Sequence, residues 1–190
     1  MRRTLLGLFL TAVAAAGVAG YVAAAREREF RRLVAAGEAA RARGELQVAV
    51  EAFSGAIALR PDAMLPYLRR GDIYRQRGEL QAALRDLRTA ARLDPTAPRP
   101  LESLGDANLA LRRYDRAAEC FEAGLRLDDR SPRLLYKLAL ARYQGGRPGA
   151  AIEPLRQAVA LDPRFAEAHY VLGLALDAIG QRRAAVAALR

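Results

Sequence analysis

The sequence predicts an all-α chain, a solenoid of stacked helix-turn-helix units preceded by a single apolar N-terminal helix. Three observations carry that expectation. The pentapeptide RGELQ stands at Arg43–Gln47 and returns at Arg77–Gln81, 34 residues later, and the match extends without a gap over Arg43–Ala63 and Arg77–Ala97. The same register reaches RRYDRAAECFEAGLRLDDRS and then GRPGAAIEPLRQAVALDPRF, and a fixed period of this length marks helix pairs that stack because one pair cannot bury its own apolar face. Ahead of the repeats, Thr4–Ala25 carries no charged residue.

The first expected element is residues 1–29, a membrane anchor or signal segment with basic flanks. Its uncharged stretch, residues 4–25, would reach about 33 Å as a helix, enough for a hydrocarbon core of about 30 Å. The strong apolar residues Leu5, Leu6, Leu8, Phe9 and Leu10 come first and Ala and Gly follow. That gradient, with the basic start, also fits a cleavable signal. The expected location is a bacterial cell membrane, spanned once, with the folded part outside the cytoplasm. Export after signal cleavage is left open. So is a cytoplasmic domain, since Arg26, Arg28, Arg31 and Arg32 outnumber Arg2 and Arg3.

The repeats are expected over residues 30–190, as units 30–63, 64–97, 98–131, 132–165 and an incomplete 166–190. Within each, apolar residues fall three and four apart, so each half is an amphipathic helix. Gly37, Gly71, Gly105 and Gly173, with Ala139 in the fourth unit, lie inside the first helices, where a larger side chain would hold the second helix away. Ala49, Ala83, Ala117, Ala151 and Ala185 do the same from the other side. Gly44, Gly78, Gly146 and Gly180 mark the turns, and Pro61, Pro95 and Pro163 end the second helices.

These positions resemble the tetratricopeptide repeat family. Its motif of Leu, Gly, Tyr, a turn glycine, Ala, Phe, Ala and Pro is matched by Leu33, Gly37, Gly44, Ala49, Phe53, Ala56 and Pro61 in the first unit. In the second it is matched by Tyr67, Gly71, Tyr74, Gly78, Ala83, Ala90 and Pro95. The resemblance implies a right-handed α-solenoid. The third unit departs from the pattern with Arg112 for the turn glycine, Gly124 in mid-helix and Asp129 for the proline. In the fifth, Leu172, Leu176, Ile179, Val186 and Leu189 have no following unit to cover them, so the chain is expected to be a fragment of a longer array or to meet a partner or second copy there.

The chemistry-bearing residues argue for a binding protein. Lys and Arg number 31 against 21 Asp and Glu, a net charge of +10. The arginines are interleaved with acids along the whole chain, which speaks against a nucleic-acid footprint. Cys120 is the one cysteine, read as a buried apolar residue, and His169 the one histidine, read as a packing residue. No phosphate loop, dinucleotide fingerprint or metalloprotease helix is present. The expected catalytic, cofactor-binding and metal-binding residues are therefore none, and the chain is expected not to be an enzyme.

The resemblance further implies that the first helices line a concave groove that binds a peptide or a partner's helix. Helical spacing then places there Leu65, Leu68, Arg69, Asp72 and Arg75 from the second unit, and Arg99, Glu102, Asp106 and Leu109 from the third. The fourth gives Arg133, Tyr136, Lys137, Leu140 and Tyr143, and the fifth Tyr170, Leu174 and Asp177. The expected partners are a protein or peptide in this groove, a membrane at residues 4–25, and a second copy of the chain at the C-terminal face.

Overall fold

The computed structural model describes the backbone of residues 2–189 and the side chains of residues 17–189. Ten α-helices and no strand occur among the described residues, as the all-helical expectation requires. They are α1 (Arg2–Ala42), α2 (Leu46–Leu59), α3 (Met64–Gln76), α4 (Leu80–Leu93), α5 (Pro98–Ala110), α6 (Tyr114–Leu125), α7 (Pro132–Gln144), α8 (Pro148–Leu161), α9 (Ala166–Ala178) and α10 (Arg182–Ala188). The chain divides into two compact units, Met1–Pro66 and Tyr67–Arg190.

In the first unit, the C-terminal part of α1 packs on α2. Helix formers fill it, and Arg31–Glu27, Arg32–Glu29 and Arg41–Glu38 pair one turn apart at 2.7, 2.6 and 2.9 Å. Phe53 is fully buried beneath Gly37, where an added Cβ would come within 2.8 Å of its ring. Arg60 closes the end of the pair, its guanidinium 4.8 Å over the Phe30 ring and 3.0 Å from Glu27.

The membrane expectation is corrected here. Much of the expected span at residues 4–25, and the signal reading with it, falls on side chains outside the described residues. Among the described residues no helix is long and apolar enough to cross a membrane. The physical reason is visible in α1 itself. The stretch of α1 whose side chains are described begins with the weakly apolar Gly17–Ala25 and then carries Arg26, Glu27, Arg28 and Glu29 in succession, and each charge would cost several kcal/mol in hydrocarbon. A single-pass membrane location, with the membrane contact at residues 4–25, is therefore not supported.

In the second unit each helix packs on the next. Small residues of the first helices receive large ones of the second: Leu87 lies over Gly71 and Leu189 over Gly173, where an added Cβ would meet them at 2.8 and 2.7 Å. Phe121 fills the same place over Gly105, still more tightly, and in α7 and α8 the fully buried Ala139 and Leu155 take the two roles. The glycine inside a helix costs about 1 kcal/mol against alanine, and this close approach offsets it.

The turns repeat one geometry. Gly44, Gly78, Gly146 and Gly180 take φ of 77°, 77°, 78° and 80°, and Arg112 takes the same left-handed turn with φ 56°. At Arg112 the backbone still closes as at the glycines, with Arg113 N donating to Asn108 O at 2.9 Å and Arg112 N to Leu109 O at 2.8 Å. The helix that follows, α6, has 12 residues against 14 in α4 and α8.

Proline 154 lies inside α8. It has no N–H for the Ala150 carbonyl one turn back. Arg142 of α7 donates to that carbonyl from Nη1 at 3.0 Å, and its Nη2 reaches Glu122 of α6 at 2.8 Å. One guanidinium thus joins three helices.

Candidate functional site

Most of the residues expected in the groove separate into three groups. Leu68 is 3% exposed and belongs to the core, while Asp72 and Arg75, on the same helix, are half-buried. Asp72 Oδ1 and Arg75 Nε are buried atoms with no hydrogen-bond partner among the described residues.

Arg99, Glu102, Asp106, Arg133 and Lys137 form one ion network between α5 and α7. Glu102 is buried at its centre. Its Oε1 accepts from Lys137 Nζ at 2.6 Å and lies 2.7 Å from Arg133 Nε, while its Oε2 accepts from Arg99 Nη1 at 2.7 Å. Lys137 Nζ also donates to Asp106 Oδ2 at 2.7 Å. Burial alone would raise the Glu102 carboxyl. The hydrogen bonds and charges of Lys137 and Arg99 outweigh it and hold that carboxyl below its ordinary value. Lys137 is enclosed at 12% side-chain exposure, whereas Arg133 and Arg99 stay open at 62% and 43%.

Tyr136, Leu140, Tyr143 and Tyr170 form the third group, on α7 and α9. Together with Gln144, Ala166, Glu167, Val171 and Leu174 they line an open hollow of about 590 Å³. Helical spacing explains the gathering, since residues 136, 140 and 143 of α7 and 170 and 174 of α9 recur at one-turn intervals. The Tyr136 ring packs 5.1 Å from the Phe165 ring, and burial, with the Glu167 carboxylate adding, pushes its phenol up. Tyr170 is 58% exposed. Glu167 and Val171 were not among the residues expected from sequence. Their positions one turn apart on α9 become significant only when α7 is seen beside them.

His169 takes a packing position. Its ring nitrogens lie 3.1 Å from the Pro163 and Ala188 carbonyl oxygens, between the α8–α9 turn and the end of α10. Cys120 is partly buried, and desolvation, with Glu119 adding, pushes its thiol up to about 11. Among the described residues no group of three His, Cys, Asp or Glu side chains could hold a metal ion.

Comparison with known proteins places this geometry. No curated protein matches the chain. Among solved structures, that of MamA superposes with a TM-score of 0.79 at 24% identity, covering 85% of this chain and 88% of MamA. PilF of Pseudomonas aeruginosa gives 0.74 at 18% identity, over 87% of this chain and 77% of its own. YrrB, described as a TPR protein with an unusual peptide-binding site, gives 0.72 at 17% identity, over 82% and 80%. These likenesses show the fold. A model described as Tetratricopeptide repeat matches residues 103–164 and 136–190, and one described as TPR repeat matches residues 71–111. Matched by repeat models from residue 71 to residue 190, the chain belongs to the tetratricopeptide repeat family.

Proposed function

We propose that the chain is a non-enzymatic scaffold for protein-protein interaction, holding an extended peptide or a partner's helix against the face formed by α5, α7 and α9. The hollow lined by Tyr136, Leu140, Tyr143 and Tyr170 carries this reading. It is open, largely apolar and ringed by tyrosines, which give large contact area at low conformational cost. The shared fold with YrrB, itself described as binding peptide, supports it. Burial, with Glu119 adding, pushes the Cys120 thiol up to about 11, which disfavours the thiolate a nucleophile needs. The test is titration calorimetry with peptides selected by phage display on the full chain. The Tyr143→Ala, Tyr170→Ala double variant is expected to weaken binding by roughly tenfold or more with an unchanged melting curve. Equal affinity for both proteins would overturn the reading.

A second reading, self-association, is favoured by one observation. Ile179, Val186 and Leu189 at the C-terminal end of the second unit are 41%, 53% and 54% exposed. It predicts a concentration-dependent dimer in light scattering that Val186→Glu dissolves. A monomer at every concentration removes it.

A further inference from the structure

We propose that the α5–α7 ion network selects an acidic partner, an extended peptide with a side-chain carboxylate about three residues from a large apolar residue. The inference rests on the groove reading above and names the chemistry of the peptide. Glu102 is a single buried carboxylate shared by three cations. A guanidinium has more N–H donors than a carboxylate shared in this way can accept. Lys137 is closed in between Glu102 and Asp106, so its charge is used internally. Arg99 and Arg133 are different: Arg99 donates to Glu102, Arg133 pairs with it at 2.7 Å, and Glu102 is the one acid within ion-pair distance of either among the described residues. Both remain well exposed. Each keeps N–H donors that Glu102 does not take up and that a further carboxylate can engage.

Charge points the same way. Arg99 also feels the Asp72 and Asp106 carboxylates, whereas the exposed Arg133 shares its one paired acid, Glu102, with two other cations. A carboxylate placed at Arg133 meets a guanidinium whose charge is only partly compensated, and a lysine there is repelled.

Placement sets the spacing. Arg133 stands one turn before Tyr136 and two turns before Leu140 on α7, so its backbone position lies about 10 Å along the helix axis from that of Leu140 in the floor of the hollow. An extended peptide covers that distance in about three residues.

The test uses the full chain and three fluorescein-labelled peptides that share a phenylalanine and differ at the position about three residues away, which is Glu, Gln or Lys. Fluorescence anisotropy is expected to rank Glu over Gln by about tenfold at low salt, with Lys weakest, and added salt should shrink the difference. Arg133→Gln, a change at an exposed side chain, should abolish the preference for Glu over Gln. If all three peptides bind alike, or Lys binds best, the acidic-partner inference falls while the groove reading stands. If Arg133→Gln keeps the full preference, the network is not its source and the inference falls as well. If none of the three binds, the inference falls and the groove reading is tested alone by the selected peptides.

Discussion

Arg112 holds φ 56° at the turn position that Gly44, Gly78, Gly146 and Gly180 occupy elsewhere. A side chain with a Cβ is strained there by about 1 kcal/mol or more, whereas glycine is not. Arg112→Gly is accordingly expected to raise the urea midpoint, equivalent to about 1 kcal/mol of added stability, despite the larger unfolded-state entropy of glycine. Glu102 gives a prediction of the opposite kind. Its carboxyl sits below its ordinary value of 4.5 when folded, so the folded chain binds that proton more weakly than the unfolded one. The contribution is complete above about pH 4.5 and is lost as pH falls through the lowered value. Thermal melts should show a fall in stability on acidification below that point, and Glu102→Gln should flatten that part of the profile. Neither the burial of Glu102 nor that of Leu68 was legible in sequence. Spacing of three and four gives a helix its face but does not say how far a neighbouring helix closes over it. A signal for the network does exist in the numbering: Glu102 and Arg133, and Asp106 and Lys137, are each 31 apart, just short of one 34-residue period.

At the scale of elements, the helix pairs and their turns were legible because one period places the same small residue opposite the same large one in successive units. The interior of α8 was not. Proline within a helical pattern ordinarily ends or kinks the helix, yet α8 runs through Pro154 to Leu161. The missing donor is replaced from another helix by Arg142, and nothing local to α8 announces that. Arg142→Leu should cost about 1–3 kcal/mol, because it leaves the Ala150 carbonyl and Glu122 without this donor. Pro154→Ala supplies the N–H within α8. A double-mutant cycle read by chemical denaturation is expected to show coupling, with Arg142→Leu costing less in the Pro154→Ala background than in the native one. Equal costs would place the worth of Arg142 in its pair with Glu122 alone.

At the scale of the molecule, stability in the second unit is distributed along the chain, since each helix there packs chiefly on its sequence neighbours. Phe121 is fully buried between α5 and α6, in a cluster with Ala117, Leu134, Leu138 and Ala141, and Leu172, Leu176 and Ala185 belong to a separate cluster further on. Phe121→Ala is expected to cost about 3–5 kcal/mol. In a stack of this kind the loss should be local: amide exchange should quicken most in α5, α6 and α7 and least in α9. Uniform loss of protection would show that the unit unfolds as a single block. The family and its all-helical fold were legible at this scale from the 34-residue period and the matched motif positions. The membrane location is not supported, because among the described residues the uncharged part of α1 is only Gly17–Ala25 before the charges Arg26 to Glu29, too short a run to cross a membrane.

The guanidinium of Arg142 also bears on how the array can be rearranged. Repeats of this kind invite shuffling as interchangeable modules, but the α7–α8 pair draws one hydrogen-bond acceptor's partner from within itself and one counter-charge, Glu122, from the preceding helix. Transplanted behind a foreign repeat that lacks an acid at that place, the pair would keep its proline and lose the anchor that steadies the arginine. A graft beginning at Tyr114 carries the whole device with it, and one beginning at Pro132 does not.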